Sequence, residues 1–136
     1  MADPTPVTLQ LKRDIGTVPP PDDLIAGSKG AVYVDLVKIA TAGDYKRGTL
    51  MMASADGYVN ATQAGLATAG GICILVEDIN IGENMYAETP GYFEGEFNDA
   101  RVIFPFETES DDHDTLVEAV REPLRKSKIF LRHLHP

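Results

Sequence analysis

The chain has 136 residues, 43% of them hydrophobic, and a formal net charge of −9. That length suits one domain with an arm, and the apolar content fits a folded chain rather than a disordered one. The acidic balance excludes nucleic acid as a natural partner, the absence of Trp excludes a broad stacking platform, and no run approaches the ~20 apolar residues of a membrane span.

The charge is unevenly spread. Residues 1–47 hold six basic and six acidic side chains, residues 48–120 hold Arg101 against fourteen acids, and residues 121–136 hold five bases and one acid. The basic tail offsets the acidic middle and suits a helix C-terminus. Met1–Gln10 lacks a basic region followed by an apolar run, so it does not read as a signal peptide. The expectation is a soluble protein made in the cytoplasm.

Residues 1–30 form the first zone, an extended N-terminal arm ahead of a β-rich domain over 31–136. It holds Pro4, Pro6, Pro19, Pro20 and Pro21, five of the nine prolines. Val7, Thr8, Leu9, Gln10 and Leu11 alternate apolar and polar side chains, as a strand does. Pro19–Pro21 favours polyproline geometry, and Gly27–Gly30 (GSKG) reads as a hinge. Two readings stand: a terminus without a role, and an arm that adds a strand to a neighbour's sheet edge. The second makes Val7–Leu11 the candidate binding residues.

Ala31–Ile39 (AVYVDLVKI) is the first strong strand, followed by a turn over Thr41–Gly48. Gly48–Ser54 and Tyr58–Ala61 are expected as strands around a hairpin at Asp56-Gly57. Met51 and Met52 are adjacent, so on a strand they point to opposite faces. Gln63–Gly71 (QAGLATAGG) reads as a small, flexible loop. Ile72–Ile79 (ICILVEDI) is a nearly continuous apolar strand, and Asn80–Pro90 a loop. Gly91–Phe97 and Arg101–Phe106 are expected as two strands around a turn at Asn98-Asp99, with Pro105 ending the second or placing it at an edge. Asp112 or Asp114 can cap a helix over Thr115–Glu122, whose apolar face is Leu116, Val117, Val120 and Leu124. Pro123 is expected to end or kink that helix, and Lys128–Leu134 to form a last strand. The sum is mainly β (α+β) with one short helix near the C-terminus.

Candidate chemistry is thin. Cys73 is the single cysteine, which excludes an intrachain disulfide, and its apolar neighbours make it a small buried hydrophobe. His133 and His135 point to one face of a strand, a spacing that suits metal chelation with His113 or Asp114 as a third ligand, but they sit where chains fray. Glu77, Asp78, Glu83, Glu88, Glu94 and Glu96 offer carboxylates for acid–base work, yet nothing selects two of them. A calcium loop over 77–88 does not match the EF-hand spacing. Ser28, Ser54, Ser110 and Ser127 lack a nucleophile-elbow context, and Gly70-Gly71 precedes a strand rather than a helix. The residues point to no catalysis and no cofactor. The alternative from another class is a small β-barrel hydrolase or carbohydrate-acting enzyme using the acidic face.

A series of short motifs carries a resemblance: Gly48–Leu50 (GTL), Asp56–Tyr58 (DGY), Gly71–Ile79 (GICILVEDI), Gly95–Asn98 (GEFN), Leu116–Val120 with Leu124–Ser127, and Lys128–Arg132 (KIFLR). In this order, over about residues 43–136, the chain resembles the bacteriophage head decoration proteins of the lambda-type capsid-stabilising family. The resemblance implies a compact β-clip or β-tulip fold. It implies binding to the major capsid protein on the outer surface of the expanded head, often as a homotrimer at three-fold or quasi-three-fold positions. It implies no enzyme activity and no cofactor. In lambda-type members the N-terminal segment orders on the capsid and extends a sheet there, which agrees with the arm reading of residues 1–30. The long Asn80–Pro90 loop and the final His133–Pro136 depart from the pattern.

Overall fold

In the computed structural model, which describes residues 24–26 and 32–133, the Val- and Ile-rich runs form strands and the acidic-capped run forms a helix. In chain order these are β1 (Tyr33–Ile39), β2 (Gly43–Tyr45), β3 (Leu50–Ser54), β4 (Gly57–Asn60), the one-turn α1 (Gln63–Leu66), β5 (Ile72–Leu75), β6 (Ile79–Ile81), β7 (Ala87–Asn98), α2 (His113–Lys126) and β8 (Ile129–Arg132). Five strands run in the order β1-β7-β5-β3-β4, β8 joins the sheet through β7, and β2 and β6 form a separate two-stranded ribbon. Every strand pair is antiparallel except β7–β8. A parallel pair needs a crossover, and α2 supplies it. The fold is therefore mainly β, with a multi-strand antiparallel sheet and one short C-terminal helix.

The middle of the sheet is covered on both faces, and the two-residue period of its strands feeds both cores at once. Leu50, Ile72, Ile74, Tyr92 and Phe97 turn to one side, where Leu116, Val117, Val120 and Leu124 of α2 meet them. Met51, Cys73 and Leu75 turn to the other, where Tyr45 and Ile81 of the ribbon pack with Val37 and Ile39. This explains the continuous apolar run of β5: all four of its side chains are buried, two in each core. Met51 and Met52 do point to opposite faces, Met51 into the ribbon-side core and Met52 against the helix-side core.

Several local expectations shift. The β3–β4 hairpin loop is Ala55-Asp56, and Gly57 opens β4, opposite Ser54. Gly57 has φ +136°, and a Cβ there would lie 2.6 Å from the Lys38 carbonyl oxygen, so glycine is required both by the backbone conformation leaving the turn and by the approach of β1. The Thr41–Gly48 turn contains β2, and the 80–90 loop is shortened by β6 and by the start of β7. The small-residue loop contains α1, because Thr62 caps it: Gly65 N donates to Thr62 Oγ1 at 3.0 Å.

Arg101–Phe106 is not a strand. It makes a single bridge, Ile103 to Thr49, while Val102 and Phe104 are buried on the helix side. The alternation holds, but Pro105 stops the ladder. Of the two outcomes expected at Pro123, an end or a kink, the end does not occur, since α2 continues to Lys126. Proline removes the bond to the carbonyl of Ala119, an exposed residue, and fully buried Leu124 holds the last turn down. Asp112 is the N-cap residue, but its Oδ2 accepts from the Thr115 hydroxyl at 2.8 Å rather than from a helix amide.

Candidate interaction surface

β1 is an end strand of the sheet, and its register decides which side chains stay outside. Val34 lies opposite Tyr92 and Leu36 opposite Pro90. Directly opposed residues share a face, so Val34 and Leu36 belong to the helix side, with Tyr92 and Ile74. The cover given by α2 stops short of them: Leu36 is 62% exposed and Val34 also lies open. Lys38, next on that face, places Nζ 5.0 Å over the ring of Tyr86, itself 65% exposed. Past a bulge at Tyr33/Val34, the Tyr33 ring turns to Phe93 on the ribbon side, with centroids 6.1 Å apart. The result is an apolar strip, Val34, Leu36 and Tyr86, on an otherwise acidic molecule.

The backbone edge beside this strip is guarded. The Pro90 carbonyl turns towards β5 and accepts from Val76 N at 3.3 Å. The Leu36–Pro90 pair is therefore unbonded, and Leu36 N faces the open edge, where Asp35 Oδ1 accepts it at 2.8 Å. A carboxylate on an edge amide discourages indiscriminate strand pairing.

Next to β1 the chain arrives from its N-terminal region. Leu24 is 2% exposed and sits in the helix-side core. Ala26 N donates to Glu96 O at 2.9 Å, and Asn98 N donates to Leu24 O at 2.7 Å, so Leu24–Ala26 runs antiparallel to the end of β7. These three residues lie on the arm side of the boundary expected at residue 30. The candidate binding residues Val7, Thr8, Leu9, Gln10 and Leu11 lie outside the described residues.

The other sequence candidates fall apart from one another. Cys73 is fully buried, and burial pushes its thiol up to about 12, so it is no thiolate nucleophile. Asp78 Oδ1 accepts the Arg47 amide at 2.7 Å. Glu96 pairs with Arg132 at 3.2 Å. Glu77 and Glu83 stand exposed on the loops flanking β6, and Glu88 is exposed opposite Lys38. The Ser54 hydroxyl closes the hairpin on Gly57 O, and Ser110 sits in a turn with Thr108. A recess of about 590 Å³ at the hairpin tip, lined by Lys38, Thr41 and Asp56 among others, holds one carboxylate.

The histidines are partly brought together, at Asp99. His113 Nε2 lies 2.7 Å from Asp99 O and its Nδ1 lies 2.8 Å from Glu107 Oε1. A carbonyl only accepts, so Nε2 carries a proton; with Glu107 ionised, Nδ1 carries one too. Burial lowers the imidazole pKa, but the Asp99 carbonyl, the Glu107 bond and charge, and the Asp114 charge together outweigh it and raise the net value. The ring also stacks on Phe104 at 5.0 Å, fixing the 99–107 segment to the start of α2. His133 Nδ1 lies 3.5 Å from Asp99 Oδ1. Among the described residues no group of three or more His, Cys, Asp or Glu side chains is set to hold a metal ion. His135 lies outside the described residues.

Sequence reasoning missed the strip on β1. The available signal was the pair Asp35 and Lys38, which interrupts the apolar run of β1 where β5 has no such break. It also missed Arg47, whose guanidinium donates to Val76 O at 2.6 Å and to the Tyr92 hydroxyl at 3.2 Å. No protein-family model and no curated protein matches the chain.

Proposed function

We propose that this chain is a bacteriophage head decoration protein, of the lambda type its residues 43–136 resemble, with a β-clip or β-tulip body. It acts on the outer surface of the mature virion and performs no catalysis. The observation that carries this reading is the exposed apolar strip of β1, Val34, Leu36 and Tyr86, beside the point where the N-terminal segment joins the sheet. Val34 and Leu36 are about half exposed, so covering what remains open gains roughly 1–1.5 kcal/mol each.

The mechanism is mechanical. Packed DNA pushes the shell outward, and a protein that bridges neighbouring major capsid protein subunits adds interface that must break before the shell does. A specific contact buries about 800 Å² per partner, and three copies in a homotrimer combine modest contacts through effective concentration. The arm extends the reach. Leu24 is fixed against β7, so Leu11 lies thirteen residues from an anchored point and spans up to roughly 45 Å.

The test is binding of the purified chain to expanded heads and to procapsids, with and without residues 1–23. The full chain is expected to bind expanded heads only, and the truncated chain to stay folded and lose binding. Truncation should stop at residue 23, because removal through residue 30 strips Leu24 from the core. Equal binding by the truncated chain would overturn the role of the arm, and no binding to expanded heads by either would overturn the reading.

A further inference from the structure

The sheet has a second open margin, along β8, and it differs in charge from everything around it. Among the described residues β8 pairs only with β7. Gly95 N and Asp99 N donate to Lys128 O and Arg132 O, so the even-numbered carbonyls of β8 face β7. The backbone groups of Ile129 and Leu131 therefore face outward. Leu131 O takes a bond from the Arg121 guanidinium at 2.6 Å. A groove of about 220 Å³ runs along this margin, lined by Arg121, Arg125, Ile129, Phe130, Leu131 and Arg132. Arg121 and Arg125 stand over it from α2. Phe130 and Arg132 point to the other face, since Ile129 and Leu131 are the buried alternates of the strand.

The three arginines have carboxylate partners: Glu118 at 3.0 Å, Glu122 at 2.7 Å and Glu96 at 3.2 Å. The side chains of Arg125 and Arg132 are 59% and 55% exposed, and such solvated pairs contribute little and are readily exchanged. Lys126 and Lys128 add to the same corner of a chain whose net charge is −9.

We propose that this margin is a docking edge for an extended, acidic peptide segment of a partner protein, which adds to β8 as a strand. Strand addition uses the outward amides of Ile129 and Leu131, which a polyphosphate cannot pair in a ladder. The alternation of an added strand sends one set of side chains towards Arg121 and Arg125 and the other towards Phe130. Acidic residues on the first set and apolar residues on the second match both walls. Arg121 leaves Leu131 O to an amide of the added strand on docking and turns that nitrogen to the incoming carboxylates, a charge-assisted bond. The proposal does not rest on the head-decoration reading.

The test titrates the full chain with an end-blocked peptide of about eight residues alternating Val and Glu, within the range of natural strand lengths. A Val–Lys counterpart and a Val–Glu version with a central proline serve as controls. Saturable binding by the Val–Glu peptide is expected, weakened about tenfold by the proline and by Arg125→Glu, with the Val–Lys peptide inert. Amide exchange at Ile129 and Leu131 should slow about tenfold in the complex. Arg125 is an exposed helix residue, so its variant keeps the fold. Equal binding by the Val–Lys peptide, indifference to the proline, or unchanged exchange at Ile129 and Leu131 would each overturn the proposal. So would slow exchange at both amides in the free chain, which would mean that another part of this chain already occupies the edge.

Discussion

β1 and β5 flank the same strand, β7, and meet opposite fates. β5 loses all four side chains into two cores, while β1 buries only Val37 and Ile39 of seven. The difference lies in what covers each face. α2 and the 101–106 segment lie on one side of β5 and the ribbon lies on the other, whereas the helix-side cover ends before β1. One strand therefore serves stability, and the other is the one the proposed function assigns to contact. That division predicts that changes along β5 act on folding and changes along β1 act on binding.

The largest effect should come from β5 itself. Ile74 is fully buried on the helix side, and Ile74→Ala removes core volume that the surrounding sheet cannot refill. It should cost about 3 kcal/mol, read as a lower urea midpoint at unchanged slope. A loss below about 1 kcal/mol would break the contrast with β1, because it would mean that β5 is not the rigid member of the pair.

Next comes the bolt at the end of β5. Arg47 holds the chain where it leaves that strand, through Val76 O, the Tyr92 hydroxyl and a ring contact with Tyr92 at 5.7 Å. Arg47→Met keeps the aliphatic stem and deletes the donors. It should cost about 2 kcal/mol, since bonds from a charged donor to a half-buried carbonyl are at the strong end of the range. Faster amide exchange at Val76, with β1 amides unchanged, would localise the effect.

Much of this division was present in the residues. The unbroken ICIL of β5 required cover on both faces, and the spacing of Leu116, Val117, Val120 and Leu124 placed the helix that gives one of the covers. What single-sequence patterns could not carry was pairing. Nothing local in Val34 or Leu36 says that no helix lies above them, because that depends on where α2 lands after its crossover. The same limit explains part of the need for Gly57, which beyond its positive φ comes from Lys38 on another strand, and Arg101–Phe106, which alternates correctly but has only one ladder position to pair with. Pro123 does not end the helix for a related reason: one missing bond argues for an end, while Leu124 on the buried face outweighs it. The candidate binding residues Val7–Leu11 lie in a part of the chain that the structure does not describe, so the visible surface is the strip on β1.

The cover over β5 is expected to respond to pH. The 99–107 segment brings Phe104 to the helix-side core, and His113 fixes that segment through Asp99 and Glu107. The folded state raises the His113 pKa: burial works against the charge, and the carbonyl of Asp99 with the charges of Glu107 and Asp114 overcomes it. The stabilisation is therefore complete below the ordinary histidine value of about 6.5 and is lost as pH rises through the higher folded-state value. His113→Gln should flatten the melting temperature between pH 6 and 8, where the parent chain melts higher at the acidic end of that window. A parent chain with no such slope would remove His113 as the fastening of the cover.

A smaller effect of opposite sign is expected on β7, between the two strands. Thr89 faces Val37 of β1, is 1% exposed, and its hydroxyl has no hydrogen-bond partner. An unpaired buried hydroxyl carries its desolvation cost with nothing to offset it. Thr89→Val keeps the shape and removes the cost, so stability should rise by about 1 kcal/mol, read as a higher urea midpoint. A loss instead would mean that the hydroxyl finds a partner in solution, and β7 would then be less dry beneath β1 than beneath β5.

The smallest change in stability should fall on the strip itself, and there it separates contact from folding. Leu36→Ser removes an exposed apolar side chain whose amide is already held by Asp35, so unfolding should shift by no more than about 0.5 kcal/mol. If the strip serves only as surface, nothing else changes. If it is the face that meets a virus head, binding to expanded heads should weaken about tenfold, because a central apolar contact carries more of an interface than its area suggests. A variant that folds like the parent and binds like the parent would leave β1 with no more function than any exposed strand. Ile74→Ala tests the same distinction from the covered side: if β5 serves only the body, the part of it that stays folded should bind heads with unchanged affinity.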